Sequence, residues 1–443
     1  MKLRDHLDKG IWAVADKGLL LLYGFAVIVI VVTTIPDTEW GAFNLYQSIF
    51  LIICFIADSV FLQPMVKFAS EHEAEIGDAL GASFILYVGS LAVGGLLCFA
   101  TTNFLADLFN SSELLELLPW LPILLIGHIF RNVGIRYLQA LYHIKAIFWV
   151  DLAFFGSIIA LCVVAHQYAM LNSALDFVKI NLIGGVLSSI VAVIFSRKGL
   201  LEMPLLNVPK DEYKKLLSFA KYQAGTSVLQ QLQQWSDNLI IGIYHTPKEV
   251  GLYAAAKTLY RLFDAVKEGA TLLIVPIASR LHSTGDKEKL STLVEQLLFL
   301  AFMVLVPVSL VLAFGSDTLM HIFYKDKFPG IDGVFQILIL SGIVLPFYLV
   351  ATNVLIGIGN VKGLFLSMLG GTLIFFAMNR ILVPGMASVG AAIAVLFSIA
   401  AIGIFGFIAM RKELSISPRG IAASLKDIKS LLKRPDKKDR QAL

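Results

Sequence analysis

The chain has 443 residues, 57% of them hydrophobic and only 15% charged, with a formal net charge of +4. A soluble domain carries about 25% charged residues, so the bilayer is this protein's solvent, and apolar runs of roughly 20 residues, each long enough to cross the hydrocarbon core as a helix, recur from near the start to near the end. That arithmetic excludes a large soluble catalytic domain, and so small a charge is weak evidence for a nucleic-acid partner.

In chain order, apolar runs predict transmembrane helices at about 18–35, 41–65, 80–104, 119–141, 146–167 and 176–195. The first opens after Lys17 and Gly18 without a small-residue cleavage pattern, which predicts a retained span rather than a signal peptide. A polar, proline-bearing stretch follows from Ser196 to Lys215. Further runs cover about 216–244, 250–278, 293–315, 332–358, 362–383 and 387–410. Runs this long without dyad alternation exclude a transmembrane β-barrel. The expectation is an all-α polytopic bundle of about 12 transmembrane helices, organised as an N-lobe (1–195), a cytoplasmic interlobe linker (196–215), a C-lobe (216–410) and a basic tail (411–443). With the N-terminus cytoplasmic, that side collects fifteen lysines and arginines outside the tail and ten within it, against Lys248, Lys325 and Lys327 opposite. Both termini are therefore expected in the cytoplasm. The tail from Ser417 to Leu432 fits either a basic amphipathic helix on anionic headgroups or a polar extension.

The two six-helix halves read as copies. Pro36-Asp-Thr-Glu-Trp-Gly41-Ala-Phe43 is matched by Pro247-Lys-Glu-Val-Gly251-Leu-Tyr253, and Pro64 in the helix after the first by Pro276 after the second. An even number of spans per copy makes this a parallel repeat about an axis along the membrane normal, with a cleft between two lobes.

Cys54, Cys98 and Cys162 lie singly in apolar runs and the eight histidines are scattered, so neither a disulfide framework nor a metal site is expected. The sequence has no Gly-x-x-x-x-Gly-Lys-Ser/Thr loop, no His-Glu-x-x-His and no Gly-x-Ser-x-Gly, which argues against ATP-driven or hydrolytic chemistry. The informative residues are charges inside spans, where each costs at least about 2.5 kcal/mol unless it faces water or a partner. Lys257, Arg261, Asp264 and Glu268 fall on one stripe of the eighth helix, with Lys267 adjacent but turned away. That stripe reads either as an anion-binding wall or as a self-neutralising ladder. Arg131 and Arg136 lie about 140° apart around the fourth helix, so both cannot face one cavity equally. Arg131 is the deeper, while Arg136 is placed to snorkel toward the inner interface with Lys145. Asp58 stands alone in the second helix. The seventh carries Gln230, Gln231, Gln233, Gln234, Trp235, Asp237 and Asn238, amides and an indole that suit sugar hydroxyls and rings or, equally, helix–helix packing.

The Gly41-Ala-Phe43 hairpin with Asp58, the stretch Pro64-Met-Val-Lys-Phe-Ala-Ser-Glu71, Trp235-Ser-Asp-Asn238-Leu-Ile-Ile-Gly242 and Gly251-Leu-Tyr-Ala-Ala-Ala256 together resemble the Wzx-like polysaccharide-biosynthesis flippases of the multidrug/oligosaccharidyl-lipid/polysaccharide exporter superfamily. The resemblance covers the chain up to the tail. It implies a MATE-like, V-shaped pair of bundles that moves an undecaprenyl-pyrophosphate-linked oligosaccharide to the outer leaflet of a bacterial inner membrane, for O-antigen, capsule or exopolysaccharide synthesis. In that reading Lys257, Arg261 and Arg131 hold the pyrophosphate, Gln234 and Trp235 contact sugars, and Asp58, Asp237 and Asp264 are candidates for proton or sodium coupling, with no bound cofactor. The implied partners are the lipid-linked glycan, membrane lipids and the polysaccharide polymerase machinery. Three rival functions stand beside it: a multidrug antiporter of the same superfamily, disfavoured because the span from Gly18 to Ile35 has no acid; a lipid II flippase, of a kind that carries more spans; and a membrane glycosyltransferase or polymer ligase, disfavoured by short outer loops.

Overall fold

The computed structural model describes residues 3–66, 76–204 and 208–416. Lys67 to Glu71 and the tail from Ser417 lie outside the described residues. All twelve predicted runs are helical, and no strand occurs among the described residues. Eight of the described helices are long and apolar enough to cross a membrane alone, or nine when Ile331–Ile343 and Leu345–Gly357, bent by 51° where Pro346 opens the second, count as one span. The difference from twelve has local causes. The seventh run, Lys210–Tyr244, is a single helix made too polar by its amides. The eighth is split into Pro247–Tyr260 and Leu262–Ser283 at Arg261. The eleventh and twelfth appear as one 51-residue stretch, Val361–Arg411, but Ala387 inside it has φ 45° and ψ −127°. A straight helix of that length would reach about 75 Å at 1.5 Å per residue, more than twice the hydrocarbon thickness. Ala387 turns the chain back, and the Ser398 hydroxyl donates to the Gly371 carbonyl across the resulting hairpin at 3.1 Å.

The described residues divide into two compact units. One comprises those of Met1–Leu259, Thr318–Val334 and Asn379–Ala391; the other comprises those of Tyr260–Asp317, Phe335–Met378 and Ala392–Leu443. In the first unit the fourth and sixth helices are joined by serines. The Ser189 hydroxyl accepts from the Arg131 backbone N–H at 3.1 Å and donates to the Gly127 carbonyl at 2.7 Å, which inserts a side chain into the fourth helix's own ladder. The Ser188 hydroxyl donates to the Val150 carbonyl of the fifth helix at 2.7 Å. The sixth helix starts on a capping box, Ser173 with Asp176. In the second unit the Ser341 and Tyr260 hydroxyls lie 3.0 Å apart, tying the bent tenth span to the start of Leu262–Ser283.

The two repeated motifs meet inside the first unit. A Cβ on Gly41 would fall 1.6 Å from the Pro247 carbonyl oxygen, and one on Gly251 would fall 2.8 Å from the Asp37 carbonyl oxygen. Each glycine lets its helix lie against the opening turn of the other's, a reciprocal crossing with no room for a side chain. Tyr46, Tyr253, Leu45 and Phe43 are buried around it. Gly41→Val is expected to cost about 1–3 kcal/mol through overpacking, lowering the melting midpoint in detergent, whereas Gly24→Ala, with open space around the added carbon, leaves it unchanged. Equal midpoints for the two variants would show that the crossing is not tight.

Candidate functional site

Each of the four lysines and arginines that the structure buries or half-buries in the middle of a span rests on a carboxylate. Arg131 donates to Asp151 of the fifth helix, with the side chains only 15% and 12% exposed, and its guanidinium lies 4.5 Å from the Phe154 ring centroid. Directly after Asp151 the fifth helix widens to a π-turn over Leu152–Gly156, which swings Phe154 under the arginine. Asp16 of the first helix lies near Asp151 and Arg131, close enough to interact electrostatically with both. Its Oδ1 is buried with no partner among the described residues. The acids of this trio outnumber its one cation by one. Arg131 NH1 also reaches Asn132 at 3.4 Å, whose amide donates to the Tyr87 hydroxyl at 2.8 Å.

Arg136 departs from its expected place at the interface with Lys145. It grips Asp58 of the second helix with both arms of its fork, Nε to Oδ1 at 2.8 Å and NH2 to Oδ2 at 2.5 Å, and Gln63 adds a third donor at 3.2 Å. Asp58 opens a second π-turn, Asp58–Leu62. Both arginines of the fourth helix are thus used, on different neighbours, as their angular separation requires.

The expected cationic wall of the eighth helix takes a different form. Lys257 is buried in the first unit and donates to Asp237 of the seventh helix and to the Gln234 carbonyl, while the Tyr253 hydroxyl donates to the same Asp237 oxygen at 2.7 Å. Asp237 Oδ1 accepts from the Asn238 backbone at 2.9 Å. Asp237 is therefore fully engaged with an internal cation. Arg261 belongs to the second unit and is exposed at the helix break, so it shares no continuous helical stripe with Lys257. Lys267, expected to turn away, is the residue that pairs with Asp264, at 2.5 Å, and it lies 5.9 Å from the Tyr348 ring centroid. Glu268 is exposed. Trp235 is only 6% exposed, so its ring is packed among side chains and offers no open face to a sugar in this conformation. Gln234 is half-buried.

One further cation closes the turn between the first two helices. Lys327, in the loop before Ile331, donates to the Val32 and Ile35 carbonyls at the end of the first helix and lies 3.8 Å from Asp37. It caps carbonyls that the helix leaves unpaired. Burial pushes its ammonium below the ordinary lysine value, and Asp37 pulls it back.

Asp16, Asp151 and Ser189 were missed in the sequence. Asp16 precedes the expected start of the first span, yet the apolar stretch begins at Val14. Asp151, an acid inside the fifth run, was a signal of the same kind as Asp58. Removing one partner of a buried pair costs about 3–5 kcal/mol, so Lys257→Met is expected to lower the melting midpoint sharply and Lys257→Met with Asp237→Asn to recover most of the loss. A double variant as unstable as the single one would show that the pair is not what the single change breaks.

The comparisons agree with this architecture. A family model described as polysaccharide biosynthesis protein matches residues 36–331. A probable low-salt glycan biosynthesis flippase, Agl15 of Haloferax volcanii, is 21% identical over 187 residues, 42% of this chain and 40% of the relative, so the match spans less than half of that protein. Among solved structures, an inward-facing multidrug resistance MATE family transporter of the MOP superfamily superposes with a TM-score of 0.75 at 16% identity, over 91% of this chain and 95% of that one. The lipid II flippase MurJ in an inward closed conformation gives a TM-score of 0.74 at 14% identity, over 97% and 94%. The long apolar helices, their paired internal charges and the family match over two thirds of the sequence lead to one assignment: this chain is a multi-pass membrane protein of the polysaccharide biosynthesis family, with a MATE-type helical fold.

Proposed function

We propose that the protein is a non-enzymatic flippase that carries an undecaprenyl-pyrophosphate-linked oligosaccharide across a bacterial cytoplasmic membrane by alternating access of two six-helix lobes, during O-antigen, capsule or exopolysaccharide synthesis. Family membership supports the substrate class. The observation that carries the mechanism is Arg131 paired with Asp151, with a second acid, Asp16, nearby.

A phosphate group is the natural competitor for a guanidinium already held by a carboxylate, because both accept from the same fork of donors. When the cargo's pyrophosphate takes Arg131, Asp151 loses its counter-charge in a low-dielectric setting beside a second acid. In this reading a proton bound at the acid pair offsets the lost counter-charge. Cargo binding and proton binding are thereby linked at one place, and an imposed proton gradient drives the cycle. Lys257 acts through its pair with Asp237 rather than as an exposed phosphate clamp. Pairing of Asp58 with Arg136 and of Asp264 with Lys267 makes these acids weaker coupling candidates than Asp16 and Asp151.

A second reading has an observation of its own. Asp16 supplies the first span with the acid that a cation-coupled multidrug antiporter requires, which removes the sequence argument against that function. The two readings part in one assay. The protein is reconstituted in vesicles with a fluorescent lipid-linked oligosaccharide and, separately, with a cationic dye. The flippase reading expects leaflet exchange of the lipid well above that of empty vesicles, enhanced by a proton gradient. It also expects a loss of about tenfold or more in Arg131→Lys, since that change forfeits a charged hydrogen-bond fork. Dye movement without lipid exchange, under either a proton or a sodium gradient, would contradict it.

A further inference from the structure

On the lipid-facing side of the first unit, a groove of about 300 Å³ runs between the fifth and sixth helices, lined by Trp149, Leu152, Ala153, Val191 and Phe195. Its walls are apolar and its aromatic rims stay open, Trp149 being 42% and Phe195 45% exposed. The π-turn at Leu152–Gly156 forms part of its floor. One turn from Trp149, toward the lysine-rich end of the bundle, stands Lys145. At the same level on the antiparallel sixth helix stand Arg197 and Lys198, just past Phe195. All three are exposed, and none takes part in the ion pairs found among the described residues. Glu202, the nearest acid along the sixth helix, forms no ion pair with them. The Trp12 ring packs at a tilt against Phe148 at 5.0 Å and Trp149 at 6.4 Å, and the Lys145 ammonium lies 5.1 Å from its ring centroid. Tryptophans with lysine beside them mark the headgroup level of a membrane.

We infer that this groove is a binding site for one anionic diacyl phospholipid of the surrounding leaflet, its phosphate between Lys145 and Lys198, with Arg197 adding positive charge at the same level, and one acyl chain against Trp149, Leu152, Ala153, Val191 and Phe195. The charge complementarity selects the lipid: exposed cations that form no ion pair among the described residues, at the mouth of an apolar channel, match a net-negative headgroup and gain nothing from a zwitterionic one. Ala153 leaves the space that the chain fills, and the aromatic rims hold it laterally. The site is separate from the Arg131 trio, which lies inside the unit. It does not depend on what the protein transports.

The test is lipid retention by native mass spectrometry of the full-length protein, extracted from membranes of phosphatidylglycerol or of phosphatidylcholine with identical acyl chains. The expected result is one retained phosphatidylglycerol and no retained phosphatidylcholine. Retention falls about fivefold for each cation removed, and is lost in Lys145→Gln/Arg197→Gln/Lys198→Gln. Ala153→Phe, which fills the groove without touching a charge, also loses the lipid while keeping the wild-type melting midpoint. Equal retention of the two lipids overturns the assignment, as does retention that survives either the triple variant or Ala153→Phe. Displacement of phosphatidylglycerol, one for one, by undecaprenyl pyrophosphate would overturn it too, because the groove would then belong to the cargo's path.

Discussion

A charge held in hydrocarbon must have a partner, and that constraint organises the interior of this protein more than any other. Arg131 with Asp151 and nearby Asp16, Arg136 with Asp58, Lys257 with Asp237 and Lys267 with Asp264 are the pairings of the described cations that are buried or half-buried within spans. Three of these four groups join different helices, so the pairs act as crosslinks as well as neutralisers: fourth to fifth and first, fourth to second, and eighth to seventh. Hydrophobic burial cannot serve this purpose between helices in lipid, since the solvent is as apolar as the side chains. Specific polar contacts and close backbone approach must do so instead.

Close approach is most developed where the repeated motifs meet. Gly41 and Gly251 hold the second and eighth helices in contact at one end of the first unit, and Lys327 ties the loop before Ile331 to the end of the first helix. Such contacts are dense at that end. Below them the eighth helix breaks at Arg261, at the boundary between the two compact units. Broken helices are tolerated at membrane depth where freed backbone groups meet protein or water.

The fold was legible in the sequence because its signals are long and redundant: every apolar run became helix, and the twin Pro–Gly–aromatic motifs proved to be mutual contacts. The site was only partly legible. Counting positions along an uninterrupted eighth helix misplaced Arg261 and Lys267, since no proline or glycine announces the break between Tyr260 and Leu262. Trp235 read as a sugar platform because burial of an indole is set by neighbours far away in sequence. Asp16 fell just outside an assumed span boundary. Ser189 had no signal at all, because its hydroxyl matters only through its contact with a helix 58 residues earlier. Pairing, the property that decides what each charge does, is tertiary and cannot be counted along one chain.

The central claim is that cargo phosphate and protons exchange at the Arg131 trio. Titration of undecaprenyl pyrophosphate into the protein in nanodiscs, in two buffers of different ionisation enthalpy at the same pH, measures it most directly by counting the protons taken up on binding. The account predicts that the wild type takes up about one proton more than Asp16→Asn/Asp151→Asn, in which the acid pair is gone. The same proton count in both proteins, or none in the wild type, would contradict it.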